Sequence, residues 1–76
     1  MSSPINKTEL YRMRYPKGTV IELTAPIQDE FSPKSVGSRF EVSYIDDANQ
    51  LQGHWLAPAS GSIAVIIGVD QFKVIK

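Results

Sequence analysis

The sequence predicts a mainly β domain of five short strands with one short α-helix in front of them, and three observations carry that prediction. Runs rich in β-branched and aromatic residues recur at "TVIEL", "RFEVSYI", "LQGHWL", "SIAVIIG" and "FKVIK". Between them lie stretches marked by Pro, Gly and Asp, the residues that turn a chain. Helix-start chemistry occurs at "INKTEL", ahead of the first strand.

The helix is justified at both ends. Asn6 can accept a backbone N–H as N-cap, and Glu9, three residues on, has capping-box spacing. Ile5 and Leu10 have the spacing of a hydrophobic staple across that cap. Pro16 cannot continue a helix and drives Tyr15 out of helical geometry, which leaves about Lys7 to Arg14. A helix so short must dock, through Leu10, Tyr11 or Met13.

Thr19 to Leu23 is the first strand. "TAPIQDEFSPKSVG" is a long loop, because Pro26 and Pro33 lack ladder donors and Gly37 can supply a turn. In Arg39 to Ile45, Phe40, Val42 and Tyr44 share one face at period two. Ile45 breaks the alternation, so a bulge is expected if Val42 and Ile45 both face inward. Asp46 to Gln50 is a turn. Leu51, Gly53 and Trp55 then share a face, with Gly53 making room for the Trp and His54 outside. Ser62 to Gly68 is apolar on both faces, "VDQ" suits a single 3₁₀ turn, and "FKVIK" closes the set.

Five short strands, a long first loop, two tighter links and a one-turn connection are the order of a small SH3-like barrel. The expected arrangement is one domain over 1–76, with the helix at about 7–14 and the barrel at about 19–76. The set "RYPKGTVIEL", "VGSRFEV", "IDDANQLQGHW" and "IIGVDQFKVI" resembles a small uncharacterised family, a domain of unknown function from Gram-positive bacteria, their phages and mobile elements. Its pattern is Tyr-Pro-x-Gly-Thr, Gly-x-x-Gly, Val-Asp-Asp, Trp-Asp and Gly-x-Asp. Arg39 and Phe40 follow Gly37–Ser38 where a second Gly is usual, Gly53 replaces an aliphatic, and Leu56 replaces the acid after Trp55. The resemblance implies an SH3-like fold and brings no catalytic residues.

Composition excludes several functions. Without Cys there is no disulfide, thiol catalysis or thiolate metal site, and the lack of disulfides points to the cytoplasm. Eight basic and eight acidic residues cancel, which argues against a dedicated nucleic-acid binder. No apolar run is long enough to span a membrane, and the polar start is no signal peptide. Asp46 and Asp47 read as turn residues rather than an acid–base pair, and the lone His54 as a surface residue rather than a metal ligand. No nucleophile, phosphate-cradle or metalloprotease motif occurs, so neither enzyme activity nor a cofactor is expected.

Binding is what remains. Trp55 is in phase with the core; the competing reading makes it an exposed partner contact, together with Ile66 and Phe31. Residues 1–24 carry a net +2, residues 25–70 a net −4, and residues 71–76 a net +2. Pairing of the first and last strands would join the basic ends into one flank, with Arg12, Arg14, Lys17 and Lys73 as phosphate contacts and Tyr11 or Tyr15 for stacking. The leading function is therefore a small non-enzymatic module docking on a protein partner or on itself. The alternative is a weak nucleic-acid accessory module. The apolar excess at Ile63 to Ile67 needs covering, so the helix is expected there, and Leu10→Ala should cost about 2 kcal/mol.

Overall fold

Helix α1 runs from Lys7 to Arg14 in the computed structural model, which describes residues 6–76. Asn6 Oδ1 accepts the Glu9 N–H at 2.8 Å, and Tyr15 closes the C-terminus by donating its N–H to Tyr11 O. The Glu9 carboxylate meets the Asn6 side-chain amide at 3.5 Å and not its backbone N–H, so only the Asn6 half of the expected capping box forms. The staple from Ile5 lies outside the described residues.

The strands are β1 (Val20–Leu23), β2 (Arg39–Ile45), β3 (Gln50–Trp55), β4 (Val65–Ile66) and β5 (Phe72–Val74). They form one antiparallel sheet in the order β4-β3-β2-β1-β5, so the first and last strands pair as expected. The sheet stays open; the ladders do not close into the expected barrel. Strand lengths give the reason. Only Val65 and Ile66 of "SIAVIIG" join a ladder and β5 has three residues, so the two outer strands are too short to wrap round and meet.

The bulge occurs where Ile45 disturbed the alternation. Val42 pairs with Gly53 and Tyr44 with Gln52, leaving Ser43 as the extra residue. Phe40, Val42 and Ile45 thereby all point into the core, whereas Tyr44, expected on their face, is exposed. Gly53 serves the bulge and not the Trp: a Cβ there would overlap the Glu41 carbonyl and come within 3.0 Å of Ser43 N. The core comprises these three residues with Ile21, Leu23, Leu51, Trp55 and Val65. Phe40 and Trp55 meet edge to face, with centroids 5.0 Å apart.

The one-turn link lies at Gly68–Val69: the Val69 N–H donates to Ile66 O at the three-residue spacing of a 3₁₀ turn, the Asp70 N–H donates to the same oxygen, and Asp70 Oδ2 accepts the Ile66 N–H at 2.8 Å. The helix is placed differently from expectation. Among the strands α1 contacts β2, at the turn end of the β2–β3 hairpin, and not β4. Thr8 Oγ1 meets Asn49 Oδ1 at 2.7 Å, and Arg12 reaches Ile45 O at 3.3 Å and Asp47 at 3.6 Å. Tyr11 and Tyr15 pack at the core margin, Tyr15 edge-on to Phe72. Leu10 is 42% and Met13 71% exposed, so of the three expected docking residues Tyr11 makes the contact, beside the polar Thr8 and Arg12.

Candidate interaction surface

At the open end of the hairpin, the β1–β2 loop (24–38) and the β3–β4 loop (56–64) build a groove. The first loop folds on itself: Ile27 and Lys34 exchange N–H···O bonds of 2.8 and 2.9 Å. Inside that clasp Asp29 Oδ1 accepts the N–H groups of both Phe31 and Ser32 at 2.8 Å. This Asx turn throws Phe31 outward, leaving it 89% exposed.

Lys34 turns the other way and is only 6% exposed. Its Nζ donates to Ser32 Oγ at 2.6 Å and Ser32 O at 3.2 Å, and lies 5.3 Å from the centre of the Trp55 ring. The ring face and two oxygens offset the desolvation of the ammonium. Gly61 crosses above at φ +109°, where a Cβ would lie 2.7 Å from Ser32 Oγ.

The resulting groove holds about 550 Å³, with Phe31 and Pro58 among its walls and Lys34 among its lining residues. A second groove of about 360 Å³ continues it toward Val36, Leu56 and Arg39, sharing Ser35, Ser38, Pro58 and Ala59. No carboxylate lines either one. Asp29 and Glu30 line a separate groove along the same loop.

The candidate contacts separate. Phe31 is presented to solvent. Trp55, 6% exposed with its indole N–H donated to Ile63 O at 3.0 Å, is a core residue, as its phase with Leu51 predicts, and the competing reading as a surface contact is corrected. Ile66 is half-buried on β4, opposite Gln50 at the far end of β3. Sequence reasoning overlooked Lys34; nothing in its spacing distinguishes a lysine that folds back over a Trp from one in solvent.

The four basic candidates differ in how far they are already engaged. Arg12 is engaged with Asp47, and Lys73 lies 3.5 Å from Glu22, which Arg39 also contacts at 3.2 Å. The Arg39 hydrogen bond, aided by Lys73, holds the Glu22 carboxyl below the usual range. Arg14 and Lys17 are exposed and make no ion pair among the described residues. Of the stacking candidates, Tyr15 is already committed to Phe72.

Asp46 is a turn residue with specific duties: Oδ1 accepts the Ala48 and Gln50 N–H groups at 2.9 Å, and Oδ2 accepts from Gln52 Nε2 at 2.8 Å. Those bonds, Gln52 foremost, lower its pKa. His54 stands on the outer face, 3.0 Å from Glu41. Among the described residues no helix is long and apolar enough to cross a membrane.

No curated protein and no solved structure matches the chain. A family model described as a domain of unknown function (DUF4314) matches residues 6–75. That span takes in the helix and every strand, so the chain belongs to this family.

Proposed function

We propose that the domain is a non-enzymatic interaction module that docks on a protein partner through the groove between its two long loops. The observation that carries this reading is Phe31: a large aromatic held out of the core by a built turn, at the rim of a groove with prolines in its walls. Exposed aromatics beside pockets are frequent anchors of protein contacts. The strand order supports an SH3-like module, the motif resemblance supports a bacterial or phage-borne origin, and the lack of cysteine supports a cytoplasmic setting.

The test is capture from host lysate with and without nuclease, using wild type and Phe31→Ser. Nuclease-resistant capture of a protein, lost in the variant, is expected. Capture abolished by nuclease and by raised salt would instead favour the nucleic-acid reading, because counterion release drives such binding. Self-docking is checked separately by sedimentation across a concentration series.

A further inference from the structure

The mounting of α1 is inverted relative to an ordinary surface helix. Thr8, Tyr11 and Arg12, at i, i+3 and i+4, form the attached side, through Asn49, the core margin and the Ile45 carbonyl. The opposite side carries Leu10 and Met13 as neighbours, with Lys7 and Arg14 along one flank, Glu9 along the other, and Lys17 just beyond the helix end. A fold that needed only to anchor this helix would turn Leu10 and Met13 inward. Among the described residues nothing covers this stripe fully, and its Lys7–Arg14 border is cationic. Glu9, the one acid in the helix, is turned toward Asn6.

From this we infer that the outer face of α1 is a second contact surface, and that its occupant is a protein segment presenting apolar side chains bordered by carboxylates. Charge complementarity selects that partner: Lys7, Arg14 and Lys17 make no ion pair among the described residues. A second copy fits worse, since two antiparallel copies of this helix set like flank against like flank, and two turns bury far less than a stable dimer needs. Nucleic acid would use the cations and leave Leu10 and Met13 wet. A membrane surface needs a longer apolar stripe than two side chains to hold a neutral domain. This surface is built from elements other than the Phe31 groove and stands or falls independently of it.

The experiment titrates the full chain with a fluorescein-labelled helical peptide bearing a leucine stripe flanked by glutamates, followed by anisotropy and backbone-amide shifts. Comparison probes are the same peptide with lysine for glutamate, phosphatidylserine-containing vesicles and a single-stranded oligonucleotide. Binding of the acidic peptide is expected, with shifts confined to residues 7–17. Leu10→Ser/Met13→Ser should weaken it at least about tenfold, as loss of anchor side chains does. Both side chains being exposed, that variant keeps its fold; Arg14→Glu/Lys17→Glu, which leaves the stripe intact, should weaken binding comparably, and Phe31→Ser should not. No saturable binding up to about 1 mM, or binding indifferent to both double variants, would overturn the inference. So would preference for the lysine peptide, the vesicles or the oligonucleotide, or a concentration-dependent dimer that the Leu10/Met13 variant abolishes.

Discussion

The two ends of the β2–β3 hairpin are secured by different physics. At the turn end, Asp46 gathers the turn with hydrogen bonds, and Thr8 and Arg12 fasten the helix to it from outside. Nearly all of these groups are in or near water, where a hydrogen bond nets about 1 kcal/mol and an ion pair less. At the open end, Trp55 is packed on Phe40, bonded to Ile63 O and roofed by Lys34, all largely out of water. Burial makes that end stiff. An exposed contact residue such as Phe31 can then be carried on a loop rooted in a packed scaffold, the usual division between scaffold and binding loop. The turn end is the softer, pH-sensitive one.

The largest expected effect lies at the open end. Trp55→Ala removes the indole from the core, its bond to Ile63 O and the roof partner of Lys34, and should cost about 3–5 kcal/mol in urea denaturation. Were it to cost no more than a surface substitution, the two ends would not differ in the way described. Next comes the middle of the hairpin. Gly53→Ala places a methyl against the Glu41 carbonyl and must straighten or shift the bulge, at a cost of about 1–3 kcal/mol. Loss of protection in the Val42–Tyr44 amides by hydrogen exchange would distinguish a disturbed bulge from a general loosening.

The turn end sharpens the contrast through pH. The folded-state pKa of Asp46 is lowered by the bonds from Gln52, Gln50 and Ala48, so its contribution is present above the unfolded value of about 3.9. It is lost as pH falls through the folded value. Asp46→Asn should therefore lower the melting temperature near neutrality, and its deficit should shrink as the pH drops below about 4. A deficit independent of pH would mean the carboxylate charge contributes nothing. Asp47→Asn should have little effect, since that side chain is fully exposed and its contact to Arg12 is long.

How much of this was legible follows from the physics of each element. The helix bounds were legible because capping and proline act locally, on Asn6 and Pro16. The strands of the hairpin and its bulge were legible because Val42 and Ile45 cannot both be buried at period two. The length of β4 was not: Ile63, Ala64 and Ile67 look like a strand continuing Val65–Ile66, and only the geometry of the partner strand limits the ladder. Lys34 was not legible because its burial depends on Trp55, a contact made by the closed loop and not by neighbours in sequence. Of the docking residues expected on α1, Tyr11 was legible and Leu10 and Met13 were not, because beside the core margin the surface that the helix meets is a polar turn offering Asn49, Asp47 and the Ile45 carbonyl.

The smallest effect is the one that sequence reasoning made large. Leu10→Ala should change stability by less than about 0.5 kcal/mol, the range for surface positions, and not by the 2 kcal/mol of a buried leucine. Its helix propensity is nearly that of alanine, so little is lost locally either. Tyr11→Ala is the matched comparison, one residue away on the attached side, packed at the core margin and 6.4 Å from the Tyr15 ring. It should cost clearly more than Leu10→Ala, on the order of 1–3 kcal/mol, because half-buried aromatic area is returned to water. Measured side by side by thermal denaturation, the pair reads out which side of α1 faces the sheet. If Leu10→Ala proved the costlier of the two, the helix would be docked by its apolar stripe after all, and the contrast between a polar, lightly fastened turn end and a buried open end would collapse.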